Sequence, residues 1–222
     1  MTAESFSERL VGASRPVWRA MAAHPFVRGV AGGTLPEAAW RAWVQQDRVF
    51  VLEERRVAGA LRAHGLPPAL ERLCGRLDEA LAHEAEAFAA EAERLGFAAD
   101  AEPWPICLGY TAYLLEAARD GLPEGLTALF GVERAYLDTW TAVRAASQPG
   151  SPYHAWIQNW TSDEFRAFVA ELAHQLDDLT GTPSPALAVR LQTRFARVAR
   201  FELAFWEMAW SGWDWPAATG PG

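Results

Sequence analysis

Four carboxylates in this sequence fall where helical spacing should place apolar side chains. One apolar stripe runs through Trp43, Val51, Val57 and Leu61. Asp47 lies four residues after Trp43 and four before Val51, Glu54 falls between Val51 and Val57, and Phe50 shares the same side. A second stripe, Leu73, Leu77, Leu81 and Phe88, contains Glu84. A third, Leu191, Phe195, Val198, Phe205 and Ala209, is interrupted by Glu202. An unpaired ionised acid in an apolar interior is costly, so each of these needs a partner, a proton or a purpose. For one position, a salt bridge to an arginine or a slightly rotated helix is explanation enough. Four acids on three helices point instead to a shared polar pocket. Such a set offers general acid/base chemistry, because a partly desolvated Glu titrates near neutrality.

Other reactive groups are fewer. Tyr136 aligns with Leu129, Val132, Trp140 and Val143, and Tyr110 is a second candidate. A buried tyrosine hydroxyl normally finds a hydrogen-bond partner, and one of the inward acids can serve. Cys107 falls near a helix start, where the helix dipole would lower its pKa. Cys74 sits beside Leu73 and reads as core packing. No histidine is an obvious sequence neighbour of Cys107. A di-metal site in a helical bundle usually needs Glu-x-x-His on each of two helices. Glu171 and His174 make the single copy here, and both look outward from the stripe Phe165, Phe168, Leu172, Leu176 and Leu179. His83 falls just off the stripe that carries Glu84. The two cysteines form no CxxC pair. A zinc site is therefore not expected, and a di-metal site is possible but weakly supported.

Helices must position these groups. The first is expected from about Glu4 to Met21. The segment from His24 to Pro36 reads as a short turn or helix and then a Gly-rich loop, with Thr34 as the N-cap of the next helix. That helix should run to about His64, where Gly65 and Pro67–Pro68 stop it. Further helices are expected over about Pro68–Leu95, Pro105–Arg119, Pro123–Ser147 and Tyr153–Asn159. Ser162 or Asp163 should cap the next, which ends near Thr180, and a last long helix covers Pro183–Trp210. The pattern predicts an all-α bundle of about seven to eight helices in one domain spanning 1–222, with a tail that frays from about Ser211. No repeat, no low-complexity segment and no sustained strand-period alternation is present.

Composition agrees. Half of the 222 residues are hydrophobic and 22% are charged, which are globular values. Ala, Leu, Glu and Arg dominate, favouring helix. A net charge of −8 without a basic run argues against nucleic acid and against anionic membranes as partners. The first residues lack the layout of a secretory signal, and no apolar run is long enough to span a bilayer. Two cysteines do not make a disulfide framework, so a cytoplasmic protein with reduced thiols is expected. Eleven tryptophans can fill spaces between helices or line a pocket.

At these residues the chain resembles the TenA family, also called thiaminase II. His24-Pro25-Phe26-Val27, then Gly29 and Gly33-Thr34-Leu35-Pro36, resembles the family's early HPF…G.L motif. Gln46-Asp47 with Phe50 matches its QD motif, Tyr110-Thr111 its mid-chain tyrosine segment, and Phe201-Glu202, Phe205-Trp206 and Met208-Ala209 its terminal E..FW.MA motif. The resemblance implies a haem oxygenase-like fold, assembled as a homo-oligomeric dimer or tetramer. It also implies a pocket for a small-molecule pyrimidine from thiamin breakdown, hydrolysed at its exocyclic methylene or amine without metal or cofactor. Mapped by motif, Asp47 would hold the pyrimidine's amino group and ring nitrogen, and Glu202 would act as acid or base. Tyr136 and Tyr110 would orient Glu202 or the substrate, with Phe50 and Trp160 packing on the ring. The best-known branch carries a nucleophilic cysteine where this chain has Val132. A second branch lacks that cysteine, uses glutamates and is linked to salvage of amino- or formylamino-pyrimidines. This chain resembles that branch, and Glu54 and Glu84 are its candidates for activating water. Two competing readings remain: a pyrimidine-binding protein without catalysis, and a metal-dependent oxidase on the same fold.

Overall fold

A computed structural model describes residues 4–216. Ten helices and no strand are formed among the described residues. They are α1 (Phe6–Ala13), α2 (Arg15–Ala22), α3 (Pro25–Gly32), α4 (Glu37–Arg62), α5 (Pro68–Arg94), α6 (Pro105–Asp120), α7 (Leu122–Ala146), α8 (His154–Asn159), α9 (Asp163–Thr180) and α10 (Pro185–Ser211).

Ten rather than eight helices arise from two local causes. The expected first helix is broken at Ser14, because Pro16 lacks an N–H and its ring clashes with the preceding turn. Proline fits the first turn of a new helix instead, and α2 restarts there. The His24 segment is a full helix, α3. His24 caps it, its Nδ1 accepting from the Phe26 N–H across 3.2 Å, and Pro25 follows. Gly33, at φ 66°, ends α3 in the left-handed region that glycine adopts without strain. Thr34 is consequently not the N-cap of α4. Its N–H donates to the Gly29 carbonyl as part of the α3 terminus, and Pro36 takes the cap position. Ser162 and Ser184 do cap α9 and α10, each hydroxyl accepting from the N–H three residues on.

The long helices α4, α5, α6, α7 and α10 pack around one core, with α9 closing over α5 and α7. Trp43, Trp140 and Trp206 are among its largest fully buried side chains. Trp43 packs near Trp40, Phe88, Trp140, Trp156 and Trp160, with ring centroids 4.6 to 5.7 Å apart. Most of the tryptophans therefore fill the space between helices. Helices α6 and α7 meet closely at Gly125, where an added Cβ would lie 2.7 Å from the Ala118 Cα. The tail, expected to fray from about Ser211, keeps a contact with the bundle. Trp215 is tied down, its indole N–H donating to the Pro103 carbonyl across 3.0 Å, and residues 217–222 lie outside the described part. No described helix is long and apolar enough to cross a membrane.

Candidate active site

The bundle encloses a cavity of about 590 Å³, within the range of small-molecule sites. Helix α4 contributes Asp47, Phe50 and Glu54 to its wall, α5 contributes Glu84, and α7 contributes Val132, Glu133 and Tyr136. Trp160 follows α8, and Phe165, Phe168 and Glu171 come from α9. Six of the eight residues singled out by the sequence thus share one space: Asp47, Phe50, Glu54, Glu84, Tyr136 and Trp160. The other two, Tyr110 and Glu202, form a buried pair in the next layer, in contact through Phe50, whose ring centroid is 4.9 Å from that of Tyr110.

Both tyrosines found carboxylate partners. Tyr136 donates to Asp47 Oδ1 across 2.5 Å, and Tyr110 donates to Glu202 Oε1 across 2.6 Å. The second oxygen of Asp47, Oδ2, is buried without a partner, as is Glu54 Oε1. Asn159 donates to Glu84 Oε1 across 2.9 Å.

Burial sets the protonation of these acids. It raises Asp47 well above the usual carboxylate range; the Tyr136 hydrogen bond opposes this, and the negative Glu84 and Glu202 reinforce it. Burial likewise raises Glu54 and Glu133, and every other group acting on them is a neighbouring acid. Glu202 is pushed up to about 8 by burial, against the pull of the Tyr110 hydroxyl. Glu84, half-buried, is pushed up to about 7 by burial, with Asn159 and Trp160 opposing. At neutral pH the site therefore holds both protonated acids and one acid close to half-ionised.

Two expectations, on Cys107 and Glu171, are corrected. Cys107 is not activated by its helix terminus. It is buried, its thiol donating to the Gln46 carbonyl, and loss of water raises its pKa instead. Cys74 is pushed up to about 11 for the same reason, and neither thiol lines the cavity. Glu171 does not simply look outward. It lines the mouth of the cavity and pairs there with Arg76 of α5. His174 does face solvent, near Asp178 at 3.4 Å. Among the described residues no group of three or more His, Cys, Asp or Glu side chains is arranged to hold a metal ion.

Glu133 is the residue that sequence reasoning missed. It follows Val132 in a stretch of α7 where Glu124 to Glu133 are all buried. It lies four residues after Leu129 and three before Tyr136, on the stripe that singled out Tyr136. The available signals were that spacing and the place of the acid directly after the apolar run Leu129-Phe130-Gly131-Val132.

This helical bundle, with its acid-lined and aromatic-walled cavity, has the haem oxygenase-like fold. A solved domain of unknown function from Shewanella denitrificans, described as having a heme oxygenase-like fold, superposes with a TM-score of 0.68. It is 14% identical, over 92% of this chain and 91% of that one. The chain belongs to the TENA/THI-4/PQQC family, whose model matches residues 12–212. A TenA homologue from Pyrococcus furiosus superposes with a TM-score of 0.87 at 30% identity, covering 92% of this chain and 99% of that one. The aminopyrimidine aminohydrolase of Halalkalibacterium halodurans is 29% identical over 95% of this chain and 98% of its own length.

Proposed function

We propose that this chain is a hydrolase of pyrimidines bearing an exocyclic amine or formylamine, acting by carboxylate acid/base chemistry without a cysteine nucleophile. The observation that carries this is Asp47, which lines an aromatic-walled cavity and has one oxygen held by Tyr136 and the other buried without a partner. A protonated carboxyl group presents a donor and an acceptor side by side. An aminopyrimidine presents the complement, a ring nitrogen that accepts beside an amino group that donates. Asp47 Oδ2–H would donate to the ring nitrogen, and Oδ1 would accept from the amino group with its remaining lone pair. Phe50 and Trp160 offer flat faces for the ring. The name of the Halalkalibacterium halodurans relative supports the same substrate class.

In this reading Glu84 is the base, because a group near 7 is available in both protonation states at neutral pH. It takes a proton from water as the water oxygen bonds to the exocyclic carbon. The bond from that carbon to nitrogen breaks, and the nitrogen leaves as ammonia after receiving a proton from an acid; in the formylamine the water oxygen bonds to the formyl carbon instead, whose bond to nitrogen breaks to give formate and the amine. Glu54 is the wall acid that helps Glu84 to hold the water. Glu202, neutral at pH 7 and held by Tyr110, is the acid reserve. The absence of a thiol from the wall supports a route without a covalent intermediate. The reading also carries a cytoplasmic homo-oligomer, dimer or tetramer, whose mass sedimentation would measure.

The test is incubation of pure protein with the 5-aminomethyl pyrimidine and its formylamino counterpart, reading ammonia and formate. Release of either supports the reading. Neither turnover nor binding would sink it, and binding without turnover would leave a pyrimidine-binding protein.

A further inference from the structure

Glu84, on the wall of the cavity, is surrounded mainly by other acids. Asp47 and Glu54 of α4 and Glu133 of α7 each feel its charge. Glu164 and Glu171 of α9 line the same space, and Arg76, the one basic group on the wall, is paired with Glu171. In such company a carboxyl group tends to keep its proton. Two neighbours act the other way, the amide of Asn159 and the indole of Trp160. Asn159 Nδ2 donates to Glu84 Oε1 across 2.9 Å, from a residue 75 places further along the chain.

The chain around Asn159 holds that amide in place. Asn159 ends α8, and the next three residues turn the chain into α9. The Ser162 hydroxyl donates to the Asn159 carbonyl across 3.1 Å while accepting from the Phe165 N–H at the start of α9. Thr161, buried, donates its hydroxyl to the Ile157 carbonyl across 2.6 Å. Its own carbonyl accepts from Arg144 of α7 across 3.1 Å and from Arg166 of α9 across 3.3 Å. The corner is thus tied to the helices that frame the cavity. The residue type also fits. A neutral amide favours the carboxylate without setting a full positive charge beside it. An arginine there would make the acid too weak a base at neutral pH.

We propose that Asn159 is a positioning residue for the reaction: the α8–α9 corner holds its amide on Glu84 Oε1 and so leaves Oε2 to take the proton from water. This deepens the hydrolase reading and rests on it for the part of Glu84 as base. The amide binds the ionised acid more strongly than the protonated one, so its loss makes Glu84 ionise at higher pH. Asn159→Leu removes the donor. Asn159→Asp keeps the shape and sets a second negative charge against Glu84.

Two measurements on the whole chain test this. Carbon-13 spectra of protein labelled at the glutamate carboxyl, with E84Q identifying the signal, follow Glu84 through its titration. Its midpoint is expected to rise by about one pH unit in N159L and by more in N159D. N159Q, which keeps an amide donor, should lie between wild type and N159L. Kinetics should follow the same shift. In N159L, kcat/KM should be about tenfold below wild type at pH 6 but within about threefold at pH 8, the loss lying in kcat. A variant that merely disturbs the fold loses the same factor at every pH. A Glu84 midpoint unmoved in both N159L and N159D overturns the proposal, as does a loss of kcat that does not vary with pH. Should N159L melt well below the wild type, N159D and N159Q decide the matter. A wild-type chain that releases neither ammonia nor formate, but whose Glu84 midpoint moves as expected in the variants, keeps the hold of Asn159 on Glu84 and loses the hydrolase reading.

Discussion

Tyr136 donates to Asp47 Oδ1 across 2.5 Å and leaves Oδ2 of the same carboxyl group buried without a partner, in a residue that lines the cavity. The pair is half of a recognition device: one oxygen is fixed so that the other points in a defined direction. A deletion and a conservative change should therefore separate. Asp47→Asn keeps a donor and an acceptor and should lower kcat/KM by about tenfold, whereas Asp47→Ala should lower it by about a hundredfold or more. Tyr136→Phe should fall between them, chiefly through KM. Equal kinetics for D47N and D47A would remove Asp47 from ring recognition.

The two acids held near neutrality predict a narrow pH profile. As a base, Glu84 must be ionised, so kcat/KM should rise as pH passes about 7. As an acid, Glu202 must be protonated, so kcat/KM should fall as pH passes about 8. E202Q should lose the alkaline limb in whatever activity remains. A profile flat from pH 6 to 9 would contradict both assignments.

Glu202 also links stability to pH. Its folded pKa, about 8, lies above the ordinary 4.5. Between those values the unfolded chain gives up a proton that the folded chain keeps, so rising pH favours unfolding. Its contribution is complete at low pH and is lost as pH climbs through about 8. The melting temperature should drop from pH 5 to pH 8, and E202Q should show a shallower drop. An identical slope in wild type and E202Q would show that Glu202 is not buried as described.

Both thiols should be dispensable. Cys107→Ser and Cys74→Ser are expected to keep kcat/KM within about threefold of wild type, because neither sulfur touches the cavity. An alkylating reagent should leave the native protein active at pH 8, as burial holds both thiols protonated. Rapid inactivation with one modified cysteine would reverse the case for chemistry without a thiol.

Gly125→Ala tests the packing that sets α7. Its Cβ would meet the backbone of Ala118, which cannot turn aside as a side chain can. Despite the better helix propensity of alanine, the variant should be less stable by about 1–3 kcal/mol in a denaturant titration. No loss of stability would mean that α6 and α7 are free to separate.

The inward acids of α4, α5 and α10 were legible because each of those helices has an apolar stripe against a polar face. Asp47, Glu54, Glu84 and Glu202 break those stripes at readable positions. Glu133 was legible by the same rule, four residues after Leu129 and three before Tyr136, but the first half of α7 is enclosed on every side, so an acid there has no polar face to stand out against. The division of the first helix was readable in Pro16, whose constraint outweighs the surrounding helical composition. Periodicity placed Glu202 inward but could not show that it lies one layer behind the wall. That depth depends on how α6 and α10 pack, with Tyr110 and Phe201 stacked 5.0 Å apart. The pairing of Arg76 with Glu171 joins residues far apart in sequence, and no local pattern announces it.

Trp160 has one further consequence. Its ring lines the cavity while lying 4.8 Å from Trp140 and 5.7 Å from Trp156, and Trp43 is 5.7 Å away. These indoles are close enough to share excitation, so a ligand seated against one of them alters the light emitted by several. The same column of rings that gives the core its bulk makes the protein its own optical gauge of occupancy, readable in the ultraviolet without a label.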